Sequence, residues 1–305
     1  MENKINNYYG HGKLLLTGEY AVLDGAKALA IPTKFGQHLE VFQIPDGKSE
    51  IHWESYDINN NMWLQYDNIT TVKSSEQLML EKILQVIDEM NPTLFSNHSF
   101  RFTTKLEFDR KWGLGSSSTL LYCLAEWAQI DMFELLERTF GGSGYDLASA
   151  SCDEPIFYTK NGKSATWETL QLDFPFKENL YFVYLGKKKN SRDAISHYRQ
   201  SKSTDEFLTE ISSLSDEMSQ AESLEELQSI MIVHEELLSK RLLHRTLNQT
   251  YFSDNKKVIG KSLGGWGGDF SLIATEVPKE ELKTYLLSKE LDVVLSWDEM
   301  IYKKQ

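Results

Sequence analysis

Apolar residues first gather in three short runs, Leu14-Leu15-Leu16, residues 28–31 and residues 39–44, each of a length that suits a buried or half-buried strand. Gly18, Gly25, Pro32 and Gly47 punctuate these runs, so the pattern predicts a strand-rich opening broken at those four positions. Ser74 and Ser75 then precede Leu78, Leu80, Ile83, Leu84 and Ile87, whose spacing predicts a helix that ends near Asn91-Pro92. Residues 100–108 alternate as a strand. Beyond them Leu120, Leu121, Leu124 and Trp127 return to helical spacing, and a short helix follows over residues 146–150.

Residues 155–159 and 180–185 read as strands on either side of a polar connection at Asn161-Gly162, and the shift in composition there places a domain boundary near residue 178. The chain therefore divides into an N-terminal domain of residues 1–178 and a C-terminal domain of residues 179–305. Residues 204–247 are helical by pattern, with Phe207, Ile211 and Leu214 on one stripe and Leu224, Leu227, Ile230, Met231, Leu237 and Leu238 on a later one. Ser223 and Glu226 have the spacing of a capping box for the second helix. A glycine cluster at 264–268, a strand at 270–274, a helix at 279–287 and a strand at 293–295 complete an α+β pattern without internal repeats.

The strand at 100–108 runs into Lys111-Trp112-Gly113-Leu114-Gly115-Ser116-Ser117-Ser118-Thr119, and the next helix begins there. Strand, glycine loop and helix start together aim unpaired backbone N–H groups and the positive end of a helix dipole at one spot, which suits an anion such as phosphate. Glycine-bearing segments at 10–25, 113–118 and 264–268 would, if brought together, let backbone approach a nucleotide and a small acceptor closely.

Composition narrows the partners. The chain has 305 residues, 41% hydrophobic and 25% charged, and a formal net charge of −13, which argues against nucleic acid or a membrane surface as the partner. Lys187, Lys188, Lys189 and Arg192 read either as a solvated surface or as the holder of a small polyanion. Two cysteines and a polar start without an apolar signal core fit a cytoplasmic protein. Nothing distinguishes a dimer from a monomer.

Two familiar strings fail. Gly260-Lys261-Ser262 lacks the upstream glycine of a Walker loop, since residue 255 is Asn255, and His234-Glu235 lacks the second histidine of a zinc-protease helix, since residue 238 is Leu238.

Four segments, in order, resemble the GHMP kinases, the superfamily of galactokinase, homoserine kinase, mevalonate kinase and phosphomevalonate kinase. They are Gly12-Lys13-Leu14-Leu15-Leu16-Thr17-Gly18-Glu19-Tyr20-Ala21-Val22-Leu23, the turn from Gly113 to Ser118, Ser143-Gly144-Tyr145-Asp146, and the late glycine cluster. Glu19-Tyr20-Ala21-Val22-Leu23 with Gly25 is similar to the mevalonate-pathway members, and Lys111-Trp112-Gly113-Leu114-Gly115-Ser116-Ser117 with Gly267-Gly268-Asp269 resembles phosphomevalonate kinase more than mevalonate kinase. The resemblance implies a ribosomal-protein-S5-domain-2-like N-terminal domain, a ferredoxin-like C-terminal domain, and ATP with its acceptor in the cleft between them. It further implies ATP phosphates held by Gly113, Leu114, Gly115, Ser116, Ser117 and Ser118, with Ser117 as the magnesium-linked hydroxyl. Lys13 and Asp146 would be catalytic, the first neutralising charge near the transferred group and the second positioning or deprotonating the acceptor. Glu19, Tyr20, Ser191, Gly267 and Asp269 would contact a small-molecule acceptor, and the lysines at 187–189 suit one already phosphorylated.

The implied activity is transfer of the γ-phosphoryl of ATP to phosphomevalonate or mevalonate. The alternatives are a catalytically silent nucleotide or metabolite sensor and diphosphomevalonate decarboxylase. Two departures stand out. Glu137 is two residues out of register for a second magnesium ligand, and Trp266 replaces a small residue, either crowding the acceptor pocket or packing beside the turn.

Overall fold

In the computed structural model, all residues are described except 1–2, 45–47, 70–71, 97, 163, 187–194, 196–197, 201, 267–268 and 305. They form two compact units. The first comprises Met1–Gly12, Phe35–Arg110 and Leu114–Ser151, and the second comprises Lys13–Lys34, Lys111–Gly113 and Cys152–Gln305. The sequence boundary near residue 178 falls in the 3₁₀ turn Lys177–Asn179, just before the strand Leu180–Tyr184.

The first three apolar runs become two long strands, β1 (Asn3–Leu15) and β2 (Ala28–Ile44). Pro32 and Gly36 do not break β2, contrary to the expectation of separate strands at 28–31 and 39–44. Proline is excluded from strands because it cannot donate to a ladder. Here one ladder of β2 ends at Ala30, paired with Ile156, and the next begins at Gln37, paired with Leu106. Pro32 occupies the interval, and its carbonyl accepts the Tyr302 N–H at 3.2 Å.

In the first unit, β3 (Ile51–Tyr56), β4 (Met62–Asp67) and β5 (Ser99–Leu106) join the later part of β2 in the order β4-β3-β5-β2. The β3–β5 pair is parallel and the other two pairs are antiparallel. Helices α1 (Ser75–Met90), α2 (Ser116–Ala128), α3 (Met132–Thr139) and α4 (Tyr145–Ala150) belong to this unit. Period-2 burial in β5 brings Phe100 and Phe102 against Trp127 of α2, and Leu39, Trp53, Leu84 and Ile87 close the same core. Burial of each such side chain stabilises by about 1.5–3 kcal/mol. Ser74 caps α1 in a full capping box with Gln77.

In the second unit, β6 (Ile156–Asn161) pairs with the start of β2 and with β7 (Ser164–Thr169), so the polar stretch at Asn161-Gly162 is a hairpin turn. A four-stranded antiparallel sheet has the order β11 (Val294–Ser296), β8 (Leu180–Tyr184), β10 (Phe270–Ala274), β9 (Ile259–Ser262). Its helices are α5 (Asp205–Gln220), α6 (Leu224–Leu242), α7 (Leu247–Tyr251), α8 (Lys279–Leu287) and α9 (Trp297–Met300). Ser223 caps α6 by accepting the Glu226 N–H, but the Glu226 carboxylate takes the N–H of Glu222, one residue before the position a reciprocal box requires.

Candidate functional site

The start of α2 is built to stay open. Gly115 is its N-cap at φ +89°, a left-handed conformation that glycine adopts without a Cβ penalty, and no side chain caps the helix. The first-turn N–H groups are therefore left for another acceptor. Ser117 is exposed and Ser116 half-buried, whereas Leu114 is fully buried and Ser118 is only 5% exposed. Thr119 anchors this turn, donating its hydroxyl to buried Gln37 of β2 at 2.6 Å.

In the same unit Asp146 lies in the first turn of α4, behind the left-handed N-cap Gly144. It is half-buried, and its Oδ2 accepts the Ser118 hydroxyl at 2.6 Å.

In the second unit the half-buried Lys13 of β1 donates its ammonium to the Gly113 carbonyl at 3.2 Å. Gly113 has φ +70°, and a Cβ there would lie 2.4 Å from Asp269 Cγ, so only glycine lets the Asp269 carboxylate lie against this turn. Tyr184 donates to the Lys111 carbonyl at 3.0 Å and Trp112 meets Phe270 edge-on at 5.5 Å, which ties residues 111–113 to β8 and β10.

Glu19 and Tyr20 lie inside this unit. Glu19 is 0% exposed and accepts the Lys261 ammonium at 2.5 Å, and Lys261 is equally buried. The Gly18 N–H donates to His234 Nε2 at 3.2 Å, and that nitrogen lies 3.4 Å from Glu19 Oε2. Burial is the largest influence on Glu19 and pushes its carboxyl up to about 7, against the lowering pull of Lys261. Burial, then the Lys261 charge, holds His234 well below the usual imidazole range. Tyr20 stacks on Tyr198 with ring centroids 5.7 Å apart. Ser191 and Gly267, with the basic cluster at 187–192, lie outside the described residues.

Overlaid on solved structures, the whole chain matches several proteins. It aligns with mevalonate kinase of Methanococcus jannaschii at TM-score 0.69 and 18% identity, covering 98% of each chain. It aligns with mevalonate kinase of L. major in complex with R-mevalonate at TM-score 0.70 and 14% identity, covering 100% of this chain and 99% of that one. It also aligns with phosphomevalonate kinase of Streptococcus pneumoniae in complex with phosphomevalonate and AMPPNP at TM-score 0.71 and 16% identity, covering 96% of this chain and 100% of that one. The fold is that of the GHMP kinases. No protein-family model and no curated protein sequence matches the chain.

Within this GHMP kinase fold, the two strings that fail as motifs supply the charged interior. Lys261 of Gly260-Lys261-Ser262 pairs with Glu19, and His234 meets the Gly18 N–H. Glu235 accepts the N–H groups of Leu247, Ser262 and the Trp266 indole at 2.7–2.8 Å. Trp266 is 6% exposed, with its indole N–H committed to Glu235. The available signal for these pairings was a lysine in a strand pattern and a His-Glu pair on an apolar helix stripe, both charged residues at core positions.

Proposed function

We propose that the protein is an ATP-dependent small-molecule kinase that transfers the γ-phosphoryl of ATP to a mevalonate-pathway acceptor, phosphomevalonate or mevalonate. The observation that carries this reading is the start of α2, opened by the left-handed Gly115 with no side chain capping it, in the same unit as Asp146, whose carboxylate accepts the Ser118 hydroxyl. A glycine turn and open helix N–H groups suit the phosphates of a nucleotide. The fold shared with a phosphomevalonate kinase seen with AMPPNP supports the same reading.

In this mechanism the backbone of Gly113, Leu114 and Gly115 and the hydroxyls of Ser116 and Ser117 hold the phosphates, and Lys13 stabilises charge developing on the transferred phosphoryl. Asp146 accepts or orients the acceptor's hydroxyl proton. A magnesium ion fits the donor set, because Mg²⁺ takes few protein oxygens and completes its shell with water and phosphate. The exposed Ser117 hydroxyl is the oxygen that would hold it. When bound, it neutralises phosphate charge.

The test is ADP release from magnesium-ATP with mevalonate, 5-phosphomevalonate, 5-diphosphomevalonate, homoserine or galactose, with product mass recorded. Turnover on mevalonate or 5-phosphomevalonate is expected. Turnover confined to 5-diphosphomevalonate with loss of carbon dioxide, or ATP binding without turnover on any of the five, would overturn the kinase assignment.

A further inference from the structure

We infer that Ser118 is a positioning residue for Asp146 and not a phosphate ligand, a deduction that rests on the kinase reading above. Ser118 is in the first turn of α2 and is 5% exposed, unlike its neighbours Ser116 and Ser117. Its hydroxyl reaches Asp146 Oδ2 at 2.6 Å, the length of a hydrogen bond from a neutral hydroxyl to a carboxylate. A serine hydroxyl carries one proton, and phosphate oxygens at neutral pH offer chiefly lone pairs. Ser118 therefore cannot donate to Asp146 and to a phosphate at once.

The bond divides the work of the carboxylate. Oδ2 is tied to α2, while Oδ1 receives no hydrogen bond from the described residues and is left for the acceptor's hydroxyl. α2 and α4 pack directly, and Asp146 occupies the first turn of the short helix α4. One hydrogen bond from a packed 13-residue helix thus sets the rotamer of a side chain on a six-residue helix. A misplaced reacting group loses rate without losing ligand affinity.

Steady-state kinetics of Ser118→Ala and Ser118→Thr, with melting temperatures of both, test this. Positioning predicts that Ser118→Ala lowers kcat by about 10- to 100-fold with KM for ATP within about 2-fold of wild type. It also predicts recovery of most of kcat in Ser118→Thr, which keeps the hydroxyl, and a melting temperature close to wild type in both. A rise in KM for ATP at unchanged kcat would restore Ser118 to the phosphate site and overturn the inference. Equal kcat in the alanine variant would overturn it too, as would a loss of activity that follows a loss of folded protein. Absence of turnover by the wild-type protein on every acceptor would overturn the kinase reading and this inference together, an outcome distinct from the others.

Discussion

Asp146 and Glu19 are both acidic residues close behind a left-handed glycine, Gly144 and Gly18, and both belong to segments that stand out in the sequence. Their surroundings diverge. Asp146 is half-buried and held by one neutral hydroxyl, whereas Glu19 is 0% exposed and faces the Lys261 ammonium and the His234 imidazole. Asp146 keeps part of its surface and one oxygen without a hydrogen bond from the described residues, which suits the role proposed for it. Glu19, with no exposed surface, has its buried partners Lys261 and His234 instead. Solvent access and partner chemistry separate the two, and residue type does not.

The comparison breaks first at Asp146. Asp146→Asn keeps the size and an acceptor for Ser118 but loses the basic oxygen, so kcat should fall by about 10²- to 10⁴-fold while ATP-induced thermal stabilisation persists. Full activity in that variant would move Asp146 into the same class as Glu19.

Lys261 tests the other side. Lys261→Met leaves Glu19 buried without its cation, and removing one partner of a buried pair costs about 3–5 kcal/mol. Urea unfolding should show a loss of that order, with part of it recovered in the double variant Lys261→Met with Glu19→Gln. A change below about 1 kcal/mol, the range of an exposed pair, would mean that the cluster is not the buried scaffold described.

The smallest effect is a pH dependence, and its sign differs for the two buried groups. The Glu19 carboxyl rises from 4.5 to about 7 on folding, so the native chain holds that proton more tightly and the group favours folding at low pH. That contribution is lost as pH rises through about 7, so the stability cost of Glu19→Gln should shrink between pH 5 and pH 7. His234 is depressed below 6.5, so the unfolded chain binds the proton and the native chain does not. Its contribution falls as pH drops below 6.5, and the cost of His234→Gln should shrink in that direction. Denaturant unfolding across this range checks both slopes. Parallel pH dependence in the two variants would contradict the assignment of a raised acid and a depressed base.

Sequence and structure agree where the signal is local. The helix over Ser75–Met90 follows from Ser74 and the spacing of Leu80, Ile83, Leu84 and Ile87, and Gly115 marks the start of α2 because a helix opening through a left-handed residue favours glycine. The failures have a physical cause as well. Pro32 reads as a break because proline lacks a donor, but whether a strand needs that donor depends on where its partners stop, and β5 and β6 set this from more than 60 and 120 residues away. β3 and β4 lack a long apolar run, and their pairing with each other, with β3 also paired to β5, settles them as strands.

The sequence by itself determined the longer helices and the residue types fit for phosphate and proton chemistry, since periodicity, caps and glycine turns act over a few residues. The short helices α3, α7 and α9 carry too few turns to show in the pattern. Only the tertiary structure decided which charged residues keep exposed surface and which are enclosed in the interior. The Ser118–Asp146 bond spans 28 positions and the Lys261–Glu19 bond 242, and both depend on burial that exists only once the chain has packed.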